Sequence, residues 1–125
     1  MSDEVRRALE DWAAAVRAAD ADRAVAAHSG DVVLYDVVPP AEVRGPEAYR
    51  RSWELFWAAQ GRGQFDVSRL TVVAGDGVAF AYGTITVGAA GTEGFPIRLT
   101  VGLRRDGDRW LVVHEHHSPP PDATG

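Results

Sequence analysis

Four consecutive positions near the C-terminus, His114 to His117, hold three imidazoles and a carboxylate within the segment WLVVHEHHSPPP. Such a group can bind a metal, move protons, or merely end a strand in polar residues. Alternation along a strand puts His114, His116 and Ser118 on one face with Trp110 and Val112, and Glu115 and His117 on the other. The apolar company of His114 and His116 points them inward, where an imidazole titrating at about pH 6.5 suits acid/base or orienting work. The alternative is that a hydroxyl or backbone carbonyl satisfies both rings and they do no chemistry. A catalytic zinc site needs a third protein ligand, and a strand cannot give the helical i, i+4 spacing of a metalloprotease motif, so no metal is assigned.

Asp36, in VLYDVV, is the second candidate. It shares a strand face with Leu34 and Val38, and a carboxylate there is costly to bury without a partner. Burial among apolar groups would raise its pKa from about 3.9 toward the range of a general base. Alternatively it accepts backbone hydrogen bonds or pairs with an arginine such as Arg44 and only shapes the next loop.

Aromatic residues supply candidate ligand walls: Tyr49, Trp53, Phe56 and Trp57 at helical spacing, and Phe80, Tyr82 and Trp110 on strands. Such stripes are more often plain core than binding surface. The GDG and GAAG segments lack the strand-to-helix setting of a phosphate cradle and read as turns, and Ser118 has no nucleophile-elbow context.

Composition removes other chemistries. With a net charge of -5 and a pI near 5.2, the chain lacks the basic footprint of nucleic-acid binding. It has no cysteine, so disulfides and thiolate sites are excluded, and its 13 basic residues are all arginine, so Schiff-base catalysis by lysine is excluded. No apolar run is long enough to span a bilayer, and no secretory leader opens the sequence, so a cytoplasmic protein is expected, with the arginine- and alanine-rich usage of a bacterial one.

Positioning these residues requires few elements. Val5, Leu9, Trp12 and Val16 predict a helix over about 3–19, and Asp20 caps a shorter second helix reaching His28. DVVLYDVV, 31–38, is a strand closed by Pro39 and Pro40. Gly45 and Pro46 open a third helix that ends near Gly61. Strands follow at about 64–74, 77–90, 95–105 and 109–118. Val67, Val73, Ile85 and Val87 alternate with polar residues and could give an outer, dimerising sheet face. Residues 1–118 form one domain, and the proline-rich 119–125 is expected to be a mobile tail.

Trp12 with AAD at 18–20, VVLYDVV, VRGPEAYRRSW at 43–53 and the terminal W-x-V-x-H-x-H-x-S together resemble the ketosteroid isomerase and nuclear transport factor 2-like superfamily, in its SnoaL-like branch. The resemblance covers residues 3–118 and implies an α+β fold: a cone-shaped α+β barrel in which three N-terminal helices pack on a strongly curved, mixed but mostly antiparallel sheet, commonly dimeric. By the same resemblance Asp36 falls on the position of an isomerase base, Trp12 where an oxyanion-binding tyrosine stands, and Val101 where a protonated aspartate stands. An indole N–H can donate a hydrogen bond but valine cannot, so steroid isomerisation through that oxyanion hole is not expected.

The sequence thus predicts a cofactor-independent acid/base enzyme of isomerase, cyclase or dehydratase type, acting on a small hydrophobic molecule, polyketide-like or aromatic. Asp36, His116, His114 and Trp12 would carry catalysis. Tyr49, Trp53, Phe56, Trp57, Phe80, Tyr82, Val101 and Trp110 would line the cavity. No metal, membrane or nucleic acid is involved, and a homodimer is expected. The alternative is a non-catalytic ligand-binding or dimerisation module of the same fold.

Overall fold

The computed structural model describes residues 2–60 and 63–120. Most of the expected tail, 121–125, lies outside them. Helix α1 (Ser2–Arg17) buries Val5, Leu9, Trp12 and Val16, the stripe read from the sequence. Helix α2 (Ala21–Ala26) starts where the Asp20 side chain accepts the Arg23 N–H at 3.2 Å. It stops at Ala26, two residues before His28, so that His28 opens strand β1 (His28–Tyr35) instead of closing a helix. A two-residue strand β2 (Val43–Arg44), unforeseen in the sequence, leads into helix α3 (Gly45–Gln60). Gly45 sits there at φ +84°, a left-handed conformation that a side chain would strain.

Four long strands follow: β3 (Gln64–Ala74), β4 (Val78–Gly88), β5 (Phe95–Asp106) and β6 (Arg109–Ser118). They form a meander in a six-stranded sheet of order β2-β1-β6-β5-β4-β3, antiparallel except where β1 runs parallel to β6. The fold is α+β as expected, but the sheet stays open, with β2 and β3 at its edges, where the sequence suggested a barrel. Helix α1 lies over β3, and α3 over β1. The core between the layers is aromatic and aliphatic, with Trp12, Tyr49, Leu34, Ile85 and Leu99 nearly fully buried. No described helix is long and apolar enough to cross a membrane.

Two β-bulges decide which side chains reach the interior. In β3, pairing with β4 shifts between Ser68 and Thr71, with Arg69 at φ 54°. Val67 therefore packs on the core from one side of the bulge and Leu70 and Val72 from the other, leaving Val73 outside. The opposite strand presents Gly83, where a Cβ would come within 2.8 Å of the Ser68 carbonyl oxygen. In β6, Gly102 pairs with His114 but Leu103 pairs with Val112, so Val113 is the extra residue. Trp110 and Val112 point inward before it, and Glu115 and His117 point inward after it.

That second bulge overturns the expected faces of the terminal strand. His116 is exposed, and His114 is half-buried with Nδ1 2.7 Å from the Val33 carbonyl oxygen. Their rings meet Tyr35 edge-on, with centroids 5.6 and 4.8 Å away. The faces of β4 are also the reverse of those expected. Ile85 and Val87 are buried, so they cannot serve an outer interface, and Val67 joins the core; of the three valines and one isoleucine expected outside, only Val73 is exposed. Phe80 and Tyr82, expected in the cavity, stack on each other on the outer face.

Candidate functional site

A cavity of about 340 Å³ opens between α3, the segment after β1, and the inner face of β4 and β5. Its walls are apolar, built from Trp53, Phe56, Phe65, Ile85 and Ile97 among others, and its rim carries Val37, Val38, Leu55 and Phe95. Among the described residues the polar side chains on the wall are Asp36, Ser52 and His117. Ser52 donates its hydroxyl proton to the Tyr49 carbonyl at 2.7 Å, part of the α3 backbone. Asp36 and His117 remain, with Asp36 Oδ1 3.7 Å from His117 Nδ1.

Asp36 is the first residue beyond β1, and its Oδ1 accepts the Val37 N–H at 2.7 Å. The backbone contact foreseen for it exists, but Arg44 pairs with Glu42 at 2.9 Å and not with Asp36.

His117 is held from behind by a buried network. Its Nε2 lies 2.9 Å from Oε1 of Glu115, a carboxylate only 1% exposed. The other carboxylate oxygen, Oε2, accepts the Tyr49 hydroxyl at 2.8 Å and faces His28 Nε2. Proton directions follow from the partners. An indole N–H only donates, so Trp12 Nε1, 2.9 Å from the Tyr49 oxygen, makes that oxygen an acceptor and leaves its own proton for Glu115. A carbonyl only accepts, so His28 donates Nδ1–H to the Ala24 oxygen at 2.8 Å, which turns Nε2 toward the carboxylate. Glu115 is thus the common partner of three side chains drawn from β1, α3 and β6.

This arrangement sets the charges. Burial works against ionising Glu115, but His28 and His117 outweigh it and hold the carboxyl well below the usual range. Burial likewise opposes a charged His117, yet the neighbouring Asp36 carboxylate and the hydrogen-bonded Glu115 carboxylate raise its pKa to about 9. Burial, then the neighbouring Glu115 charge, pushes the Tyr49 phenol well up, so it stays a donor at neutral pH. The site therefore presents an imidazolium beside a carboxylate on a hydrocarbon wall, a donor and an acceptor suited to proton transfer without large motion. Among the described residues no three His, Asp or Glu side chains are placed to hold a metal ion.

Of the residues foreseen in the sequence, the cavity brings together Asp36, Trp53 and Phe56. Trp12 and Tyr49 lie behind the wall in the Glu115 network. The Trp53 ring meets that of Tyr49 edge-on at 6.3 Å, and its indole N–H is buried without a hydrogen-bond partner among the described residues. Trp57 is half-buried and donates to the Val16 carbonyl at 3.1 Å. Val101 is fully buried, paired across the ladder with Glu115. Trp110 belongs to the other end of the molecule, where it donates to Glu4 at 3.2 Å. The sequence reading missed His117 and Glu115, whose faces the bulge exchanges, and His28, assigned to a helix. The available signals were the doubled valine Val112–Val113 ahead of the histidines and Gly102 on the neighbouring strand.

A family model described as a SnoaL-like domain matches residues 5–122. No curated protein matches the chain. Among solved structures, it is similar to an NTF2-like protein of unknown function from Pseudomonas putida KT2440, at 34% identity over 98% of this chain and 88% of that one, with a TM-score of 0.89. A candidate dehydratase of the NTF2-like family from Streptomyces avermitilis superposes with a TM-score of 0.83 at 18% identity, over 95% of each chain. A candidate calcium/calmodulin-dependent protein kinase type II association domain from Thiobacillus denitrificans gives 0.78 at 23% identity, over 90% of this chain and 92% of that one. These last two are likenesses of fold.

Proposed function

Because this chain belongs to the SnoaL-like family of NTF2-like proteins, we propose that it is a cofactor-independent acid/base enzyme of isomerase, cyclase or dehydratase type, acting on a small hydrophobic molecule, polyketide-like or aromatic. The reading rests on one relationship: Asp36 and His117 stand 3.7 Å apart on the wall of an otherwise apolar cavity. Asp36 is the base, taking a proton from a carbon next to a carbonyl. His117 donates Nδ1–H to the oxygen on which negative charge gathers. Returning the proton to a different carbon isomerises the substrate. Passing the His117 proton to a departing hydroxyl dehydrates it, and attack of the carbanion on a second carbonyl closes a ring. His114 and His116 have no part in this scheme, and Trp12 acts only by orienting Tyr49.

The test is the Asp36→Asn variant, which keeps the side chain's shape and removes its basicity. Turnover should fall by orders of magnitude with circular dichroism unchanged; an unaltered rate removes Asp36 from the chemistry.

A second reading, self-association, draws support from the outer face of β3 and β4. Val73, Val78, Phe80 and Tyr82 are each between 47% and 69% exposed there, the surface expected of an isologous dimer.

A further inference from the structure

The polar end of the ligand can be read from what the wall leaves unspent. Ser52 has given its proton to Tyr49, and His117 Nε2 is committed to Glu115. His117 Nδ1 is 3.7 Å from Asp36 Oδ1, beyond hydrogen-bond reach, and Asp36 Oδ2 makes no hydrogen bond among the described residues. Trp53 Nε1 is also unpaired, but that atom is buried inside the wall, so the cavity surface formed by the described residues offers one donor and one acceptor side by side. Two oxygens on adjacent carbons match that spacing when one accepts from the imidazole and the other donates to the carboxylate.

Charge narrows the choice further. Among the described residues no arginine lines the cavity, and the chain has no lysine. The one cation that the described residues place on the wall, His117, is flanked by Asp36 and Glu115, with His28 on the far side of Glu115. An anionic group placed on His117 Nδ1 would stand against Asp36, with Glu115 behind the ring already balancing its charge.

We infer that the cavity accepts an uncharged hydroxy-carbonyl compound, its carbonyl oxygen on His117 Nδ1 and the hydroxyl of the neighbouring carbon on Asp36, and that it rejects carboxylates of the same skeleton. This rests on the proposed roles of Asp36 and His117, and it adds the ligand class. A volume of about 340 Å³ is at the small end for ligand sites, so a single ring bearing the two oxygens is the appropriate size.

Calorimetric titration of the full chain with 2-hydroxyacetophenone, acetophenone and mandelate tests it. The hydroxyketone should bind about tenfold or more tightly than either of the others, the usual scale for one hydrogen bond to a charged group. The Asp36→Ala variant should abolish its advantage over acetophenone. Mandelate binding as tightly as the hydroxyketone, an advantage that survives Asp36→Ala, or no binding of any probe at millimolar concentration would overturn the assignment. Because these are equilibrium measurements, they separate from the catalytic reading. A preference for mandelate, with turnover still lost in Asp36→Asn, removes the ligand class alone, and hydroxyketone binding without any turnover removes the chemistry alone.

Discussion

Glu115 and His117, two residues apart on β6, face inward together and share a hydrogen bond of 2.9 Å between Oε1 and Nε2. The carboxylate is buried and the imidazole reaches the cavity wall, so Glu115 acts on a ligand only through His117. It has no apolar reason to be inside. Its burial is compensated by His28, Tyr49 and His117, each from a different element.

Glu115→Gln should therefore do two things. Removing one charge from a buried pair costs about 3 to 5 kcal/mol, read as a lower urea midpoint. In the remaining folded protein, the His117 pKa should fall from about 9 toward or below the ordinary histidine value, followed by imidazole nitrogen shifts. A merely structural Glu115 would lower the midpoint and leave the His117 titration where it was.

Stability should depend on pH through the same ring. The folded pKa of His117, about 9, exceeds the value of 6.5 taken for the unfolded chain, so the folded state holds the proton more tightly. That contribution is complete below about pH 6.5 and is lost as pH rises through 9; its size is on the order of 3 kcal/mol. Glu115 has the opposite sign. Its carboxyl is lowered, so its contribution is complete above about 4.5 and is lost progressively as the pH falls below that value. Urea midpoints at pH 6.5, 8 and 9.5 should decline in that order, and His117→Gln should flatten the decline. A midpoint that rises with pH over this interval contradicts the charge assignment.

The three histidines of the terminal strand should separate cleanly. His116→Gln, at an exposed position, should change stability by less than about 0.5 kcal/mol and leave turnover unaffected. His114→Gln loses the bond to the Val33 carbonyl and should cost about 1 kcal/mol without a change in rate. His117→Gln should remove activity. Equal losses from His114 and His117 would mean that the bulge does not divide the strand in solution.

Much of this frame is legible in the sequence because it rests on periodicity. The stripe Val5, Leu9, Trp12, Val16 defines α1 and its buried side, and the strand bounds of β3 to β6 follow from β-branched runs and glycine turns. Asp36 stands out because a carboxylate in an apolar strand needs a reason. What fails is parity. One unpaired residue, Val113, exchanges the faces of everything beyond it in β6, and the doubled valine there hints at a bulge without fixing which residue is extra. Strand β4 fails for another reason. Phe80 and Tyr82 outside are larger than Ala79 and Ala81 inside, so the bulkier set points to the wrong face. The His28–Glu115 pair, 87 positions apart in the chain, depends on the parallel pairing of β1 with β6 and has no local trace.

The outer sheet face leads to the last expectation. Val73 and Phe80 are ladder partners, Phe80 stacks with Tyr82 at 6.3 Å, and neither ring touches the cavity. Apolar side chains this exposed lose contact with water when a second copy covers them, and a two-fold axis would set each pair against its own copy. The protein should sediment as a dimer at micromolar concentration. Replacing both rings, Phe80→Glu with Tyr82→Glu, places like charges across that axis and should give monomers with unchanged circular dichroism. Because neither residue reaches Asp36 or His117, the monomers should still bind 2-hydroxyacetophenone with the wild-type affinity. If the double variant remains dimeric, self-association uses a different surface.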